Sequence, residues 1–242
     1  MRIEVEGRPA TAEQVASTDG HFTAMQVRGG GVQGLEHHLL RLDAAHREIF
    51  DAPLDGDRVI GLVRHALDGR ADASVRVVLR DAEHVAVQVA GPRLPPGTPQ
   101  RLRAVPYLRP FAHLKHLGGF AQAQWARQVR REGFDDALLT GPDGAVAESS
   151  IANVGFLEAD GGVVWPTAPH LRGTGLALVE AATPSWAHPV HLRDVPGFAG
   201  AFLVNSIGIV AVASVDGTPL PDAAGRVAEI RAALSALPWD AV

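Results

Sequence analysis

The sequence predicts a two-lobed α/β (α+β) protein, with a small N-terminal domain over residues 1–92 and a larger C-terminal domain over residues 93–242. Three observations lead there. Strand-like alternation and helical spacing of apolar residues are interleaved along the chain rather than segregated. The stretch Gly91-Pro92-Arg93-Leu94-Pro95-Pro96-Gly97-Thr98-Pro99 is the densest proline and glycine segment and reads as a linker. The 242 residues, 46% hydrophobic and 20% charged, suffice for one large domain or two small ones with real cores.

In the first lobe, Ile3-Glu4-Val5 and Thr23-Ala24-Met25-Gln26-Val27 alternate like strands, and Gly29-Gly30-Gly31 marks a turn. From Leu35 to Phe50, Leu39, Leu40, Leu42, Ala45 and Ile49 recur at helical spacing. A second helix is expected from Asp57 to Leu67, with Val59, Ile60, Val63 and Leu67 on one face. Val75 to Leu79 and His84 to Val89 read as a hairpin pair.

In the second lobe, Gly119 to Glu132 reads as a helix stopped by Gly133. Ala137 to Thr140 and Val146 to Glu148 read as strands joined by the turn Pro142-Asp143-Gly144. Ile151 to Leu157 and Val163 to Trp165 continue the sheet. Leu176 to Ala182 is expected as a helix opening at Gly173-Thr174-Gly175. Ala201 to Val204 and Ile209 to Val212 are apolar enough for buried strands, and Ala223 to Leu237 closes the chain as a helix.

Composition narrows the function. With 22 basic and 27 acidic residues the net charge is −5, so no basic surface for nucleic acid is expected. Cysteine is absent, which excludes disulfides, thiolate nucleophiles and cysteine-ligated metal. The stretch Met1-Arg2-Ile3-Glu4-Val5-Glu6 holds no apolar run, and no segment reaches about 18 consecutive apolar residues, so neither signal peptide nor membrane span is expected. A cytoplasmic protein follows as the expectation. His37 and His38 would point to different sides of a helix, and His113 with His116 lack an evident third ligand, so no metal site is expected.

Of the 22 basic side chains, 21 are arginine and one is lysine, Lys115. A chain this size would ordinarily carry roughly a dozen lysines. Arginine serves wherever a positive charge suffices, but a guanidinium that stays protonated cannot attack a carbonyl to form an imine. Lys115, set among His113, Leu114, His116 and Leu117, is therefore a candidate nucleophilic amine. Glu148, after the Gly144 turn, is a candidate for holding a ring nitrogen protonated. Leu171-Arg172-Gly173-Thr174-Gly175 opens a helix where backbone N–H groups can meet a phosphate.

Taken together these segments resemble the class IV, pyridoxal-phosphate-dependent aminotransferases, a family that includes branched-chain and D-amino-acid aminotransferases and aminodeoxychorismate lyase. His38-Leu39-Leu40-Arg41-Leu42 looks like the family's early helix motif, whose arginine contacts the cofactor phosphate. Lys115 takes the place of the Schiff-base lysine, and Gly133 to Leu139 is similar to a stretch that follows it. Asp143 to Phe156, with Gly144, Glu148, Asn153 and Phe156, looks like the family's glycine–glutamate–asparagine–phenylalanine signature, 33 residues separating Lys115 from Glu148. Gly173-Thr174-Gly175 and Asn205-Ser206 take the places of the phosphate turns. The chain departs from the family where His21-Phe22-Thr23-Ala24-Met25 lacks an acid, and where Gly175 and Leu176 replace a threonine and an arginine.

The resemblance implies the class IV fold in two lobes and a pyridoxal 5'-phosphate cofactor. It implies that Lys115 holds the cofactor as an internal aldimine and moves the substrate proton, with Glu148 at the ring nitrogen. Arg41, Asn153, Gly173, Thr174, Gly175, Asn205 and Ser206 would complete the cofactor site. Arg80 or Arg109 is a candidate for the substrate carboxylate. The implied partners are a small-molecule amino donor, a keto-acid acceptor and a second copy of the chain in a homodimer. Pyruvate elimination from aminodeoxychorismate is the alternative chemistry, and a non-catalytic relative of the fold the alternative class.

Overall fold

The computed structural model describes residues 1–11 and 19–242. They form two compact units. One comprises Met1–Arg93, Leu114–Gly118 and Pro238–Val242; the other comprises Leu94–His113 and Gly119–Leu237. The sequence suggested two lobes contiguous in the chain, 1–92 and 93–242, whereas the contacts return two short later segments, Lys115 among them, to the first unit. Backbone pairing is the reason for one of them. The Phe22 N–H donates to the Lys115 carbonyl and the Leu117 N–H to the Gly20 carbonyl, each at 2.9 Å.

The first unit runs β1 (Arg2–Val5), β2 (Arg8–Pro9), β3 (His21–Arg28), β4 (Gly31–Gln33), α1 (Leu35–Phe50), α2 (Gly56–Leu67), β5 (Ala73–Leu79) and β6 (Val85–Ala90). The second runs β7 (Gln100–Pro106), α3 (Phe120–Arg131), β8 (Asp136–Thr140), β9 (Val146–Ser149), β10 (Asn153–Leu157), β11 (Val163–Pro166), α4 (Thr174–Ala182), β12 (Ser185–His188), β13 (Gly200–Asn205), β14 (Gly208–Val215), β15 (Thr218–Pro219) and α5 (Ala224–Ser235). A last strand, β16 (Trp239–Ala241), belongs to the first unit.

Among the described residues the first unit is a seven-stranded sheet in the order β16-β4-β3-β5-β6-β1-β2, antiparallel throughout. One face carries Met25, Val27, Val75, Val77, Val87 and Val89 at every second position, and these pack with Leu42 of α1 and Val59 and Val63 of α2. The second unit holds a nine-stranded mixed sheet with parallel pairs β11–β12, β14–β7 and β7–β8. Its central strands are buried on both faces. In β13 and β14, Leu203, Val210 and Val212 enter one core while Phe202, Val204, Ile209 and Ala211 enter another with α4 and α5. That double burial is why these strands read as continuous apolar runs.

Three expectations need correction. The chain does not close on a helix: Ala236 caps α5, and β16 follows, pairing antiparallel with β4. The buried face of α1 is Leu35, His38, Leu42, Ala45 and His46, with Leu40 58% and Ile49 37% exposed, because two histidines occupy core positions that a hydrophobic count skips. Strands β7 and β12 were not expected. β7 alternates charged and apolar residues and follows the proline-rich segment, and β12 has no fully buried position. No helix among the described residues is long and apolar enough to cross a membrane.

Candidate active site

In the first unit the backbone pairing beside β3 sets Lys115 against Phe22, with Nζ 5.0 Å from the ring centroid. The Arg76 guanidinium lies over the same ring at 3.8 Å, a neighbour that sequence reasoning missed because it requires the β3–β5 register. Burial lowers the Arg76 pKa, and the nearby Arg80 charge adds to that. Arg80 itself stands just past the end of β5.

Successive residues of a strand face opposite ways, so Thr23 turns toward α1 while Phe22 does not. Thr23 Oγ1 lies 2.7 Å from His38 Nδ1 and accepts a hydrogen bond from Arg41 Nη2 at 2.6 Å. His38 and Arg41 are three apart on α1 and so share a side of the helix. Burial is the main cause of the His38 pKa falling well below its ordinary value, with the charges of Arg41 and Lys115 adding to it. Burial also lowers the Arg41 pKa to about 10. Its Nε is buried without a hydrogen-bond partner, and no ion pair engages it among the described residues. A guanidinium held in this way suits a polyanionic ligand.

In the second unit Glu148 sits near the end of β9, 5% exposed. Its Oε1 accepts from Arg109 Nε at 2.7 Å, and its Oε2 accepts from the Leu171 N–H at 3.4 Å. Arg109 also donates from Nη2 to the Ala112 carbonyl at 2.5 Å. Burial raises the Glu148 pKa, opposed chiefly by the Arg109 charge and hydrogen bond. Arg109, expected as a candidate for the substrate carboxylate, is thus engaged with a carboxylate of this chain.

The turn that leads into α4 is braced by Asn153, whose Nδ2 donates to the Leu171 carbonyl at 2.7 Å. Gly173 is the N-cap of α4 and supplies no side-chain acceptor, so the N–H groups of the first turn remain directed outward along the helix axis. A Cβ on Gly173 would stand 2.2 Å from Asn153 Oδ1, and one on Gly175 would stand 2.9 Å from the Asn205 carbonyl. These glycines therefore let the helix start press against β10 and the β13–β14 turn. In that turn, Asn205 Oδ1 accepts from the Ile207 N–H at 2.8 Å, and Ser206 follows Asn205, partly exposed.

The structure thus gathers Glu148, Asn153, Gly173, Thr174, Gly175, Asn205 and Ser206 within one unit, and Arg41 and Lys115 within the other. Each unit by itself holds groups whose chemistry fits pyridoxal phosphate. The first has a guanidinium edge without a partner, suited to a phosphate, and a lysine suited to an aldehyde. The second has an uncapped helix start suited to a phosphate and a buried carboxylate suited to a ring nitrogen.

The family described as amino-transferase class IV matches residues 20–215. No curated protein matches the chain significantly. Among solved structures, a hypothetical aminotransferase from Mycobacterium tuberculosis in its PLP-bound form is similar, with a TM-score of 0.81 at 20% identity over 97% of this chain and 99% of that one. A branched-chain aminotransferase from Thermoproteus uzoniensis with norvaline gives 0.81 at 18% over 97% and 95%. A fold IV transaminase from Curtobacterium pusillum gives 0.77 at 22% over 93% and 88%. At these identities the likeness establishes the fold, and the family match, which spans most of the chain, establishes the rest: the protein belongs to the class IV aminotransferases, enzymes that use pyridoxal phosphate.

Proposed function

We propose that this chain is an aminotransferase that moves an amino group from an amino acid or related small amine to a keto acid, with Lys115 as its catalytic residue. The observation that carries this reading is Glu148, a buried carboxylate held by Arg109 and the Leu171 N–H in a chain whose one lysine is Lys115. When bound, pyridoxal phosphate supplies an aldehyde that condenses with amines and a protonated ring that takes up an electron pair. Glu148, as an anion, would accept the ring N–H and hold that proton in place. Arg109 opposes the burial that favours the neutral form of Glu148. Lys115 would hold the aldehyde end of the cofactor, and its Nζ as a free amine would take the proton from the substrate α-carbon and return it to the accepting carbon.

For the phosphate, Arg41 is the donor that the first unit would offer, and the first-turn N–H groups at Thr174 and Gly175 with the Asn205-Ser206 turn are those that the second unit would offer. Gly173 admits the close packing of that turn, and Asn153 orients it. Arg80 keeps its assignment to the substrate carboxylate, while Arg109 acts through Glu148.

The test is the near-visible absorption spectrum of the purified protein with added pyridoxal phosphate, before and after borohydride, alongside Lys115→Ala. A band lost on reduction, with the label mapped to Lys115 and absent from the variant, is expected. A protein that stays colourless with added cofactor overturns the reading. Amino donors paired with keto acids then report transamination, whereas release of aminobenzoate from aminodeoxychorismate would move the assignment to the lyase. The resemblance also implies a homodimer, for which the solution mass would be twice the 25.5 kDa of one chain.

A further inference from the structure

Thr23 is wholly buried, yet it carries a hydroxyl shared between two side chains of α1. The direction of the first of those bonds, from Arg41, follows from elementary inventory, and that of the second from the tautomer of His38. A guanidinium can only donate, so Thr23 Oγ1 accepts from Arg41. The hydroxyl's one proton is then available to His38 Nδ1, 2.7 Å away, which accepts only if the imidazole is neutral and carries its proton on Nε2. Burial of His38 and the cations beside it favour that neutral form. In that tautomer the hydrogen bonds run Arg41→Thr23→His38, with the first step fixed by an arginine that can only donate.

Packing alone does not account for this arrangement. A helix–sheet core is filled at lower cost by a valine at the position of Thr23, and burying a guanidinium without an anion is unfavourable. The hydrogen bond to Thr23 fixes one edge of Arg41, while its buried Nε is left without a partner. We propose that Thr23 and His38 are positioning residues for Arg41, holding its guanidinium as a preset donor for the cofactor phosphate. The inference rests on the reading of Arg41 as a phosphate anchor and adds two residues to it.

The experiment compares dissociation constants for pyridoxal 5'-phosphate and for pyridoxal, which shares the ring and aldehyde but lacks the phosphate. Thr23→Val removes the hydroxyl at nearly constant shape and is expected to weaken pyridoxal phosphate roughly tenfold, with pyridoxal unchanged. Thr23→Ser restores the hydroxyl and is expected to bind as the unaltered protein does. A second pair repeats the comparison should the valine variant fail to fold: His38→Asn keeps an acceptor near Nδ1, whereas His38→Gln places its amide near Nε2 instead. Arg41→Leu reports on the underlying reading. If that variant loses no phosphate-dependent affinity, Arg41 is not an anchor and both readings fall. If it does lose affinity while Thr23→Val and His38→Gln bind normally, or weaken both ligands equally, Arg41 stands and the positioning role is overturned.

Discussion

Glu148 combines two opposed influences in one side chain. Its burial favours the neutral acid, and the Arg109 guanidinium 2.7 Å away favours the anion. Removing one partner of such a pair leaves an uncompensated buried charge, so Arg109→Leu should destabilise the protein by about 3–5 kcal/mol in denaturant unfolding. A variant as stable as the parent would mean that the pair is not buried as described. Glu148→Gln keeps a hydrogen-bond acceptor for Arg109 but removes the charge that, on the proposed reading, would hold a proton on a ring nitrogen. It should retain the cofactor while kcat falls by roughly 10²–10⁴-fold, checked by spectrum and turnover together. The candidacy of Glu148 was legible from its neighbours in sequence. The role of Arg109 was not, because it stands 39 residues away and 20 other arginines compete for any assignment.

At the scale of elements, two helix starts depend on residues distant in the chain. Helix α1 opens on Gly34, which has no side chain to cap it, and the Leu35 N–H donates instead to Asp240 Oδ2 at 3.2 Å, across 205 residues of chain. Asp240→Ala should cost about 1 kcal/mol, as loss of an N-cap does, read as a lower thermal midpoint. An unchanged midpoint would show that water caps the helix equally well. Helix α4 opens on Gly173, where an added Cβ meets Asn153 Oδ1 at 2.2 Å. Gly173→Ala should push Asn153 off the Leu171 carbonyl and weaken pyridoxal phosphate on the order of tenfold, a shift of about 1.4 kcal/mol, in equilibrium dialysis. Affinity equal to the parent's would place the phosphate elsewhere. The bounds of α1 were readable from periodicity, and the opening of α4 from its glycines. The cap on α1 was not, since no local pattern records which distant residue supplies it.

For the molecule as a whole, the buried histidines of the first unit set the response to acid. His21, packed against His46 and Phe50, has its pKa lowered from 6.5 to about 4 by burial first and by His46 second. The unfolded chain takes up that proton below pH 6.5 and the folded chain does so only near pH 4. Stability is thus complete above pH 6.5 and falls as the pH drops through this window, by up to about 1.4 kcal/mol per pH unit for one imidazole. His21→Gln should flatten the slope of unfolding free energy between pH 6.5 and 4. An unaltered slope would assign the acid response to other groups.

The sequence by itself determined the alternation of strands and helices, the class of enzyme, the one side-chain amine able to form an imine, and the glycine turns suited to phosphate. Those features are encoded in local periodicity, in residue chemistry and in short spacings, all of which survive in one dimension. Only the tertiary structure decided that Lys115 pairs with the start of β3, that β16 returns to β4, that Arg109 serves Glu148, and that Thr23 links His38 to Arg41. Each of these joins residues well separated along the chain, and hydrogen bonds and ion pairs depend on distance in space.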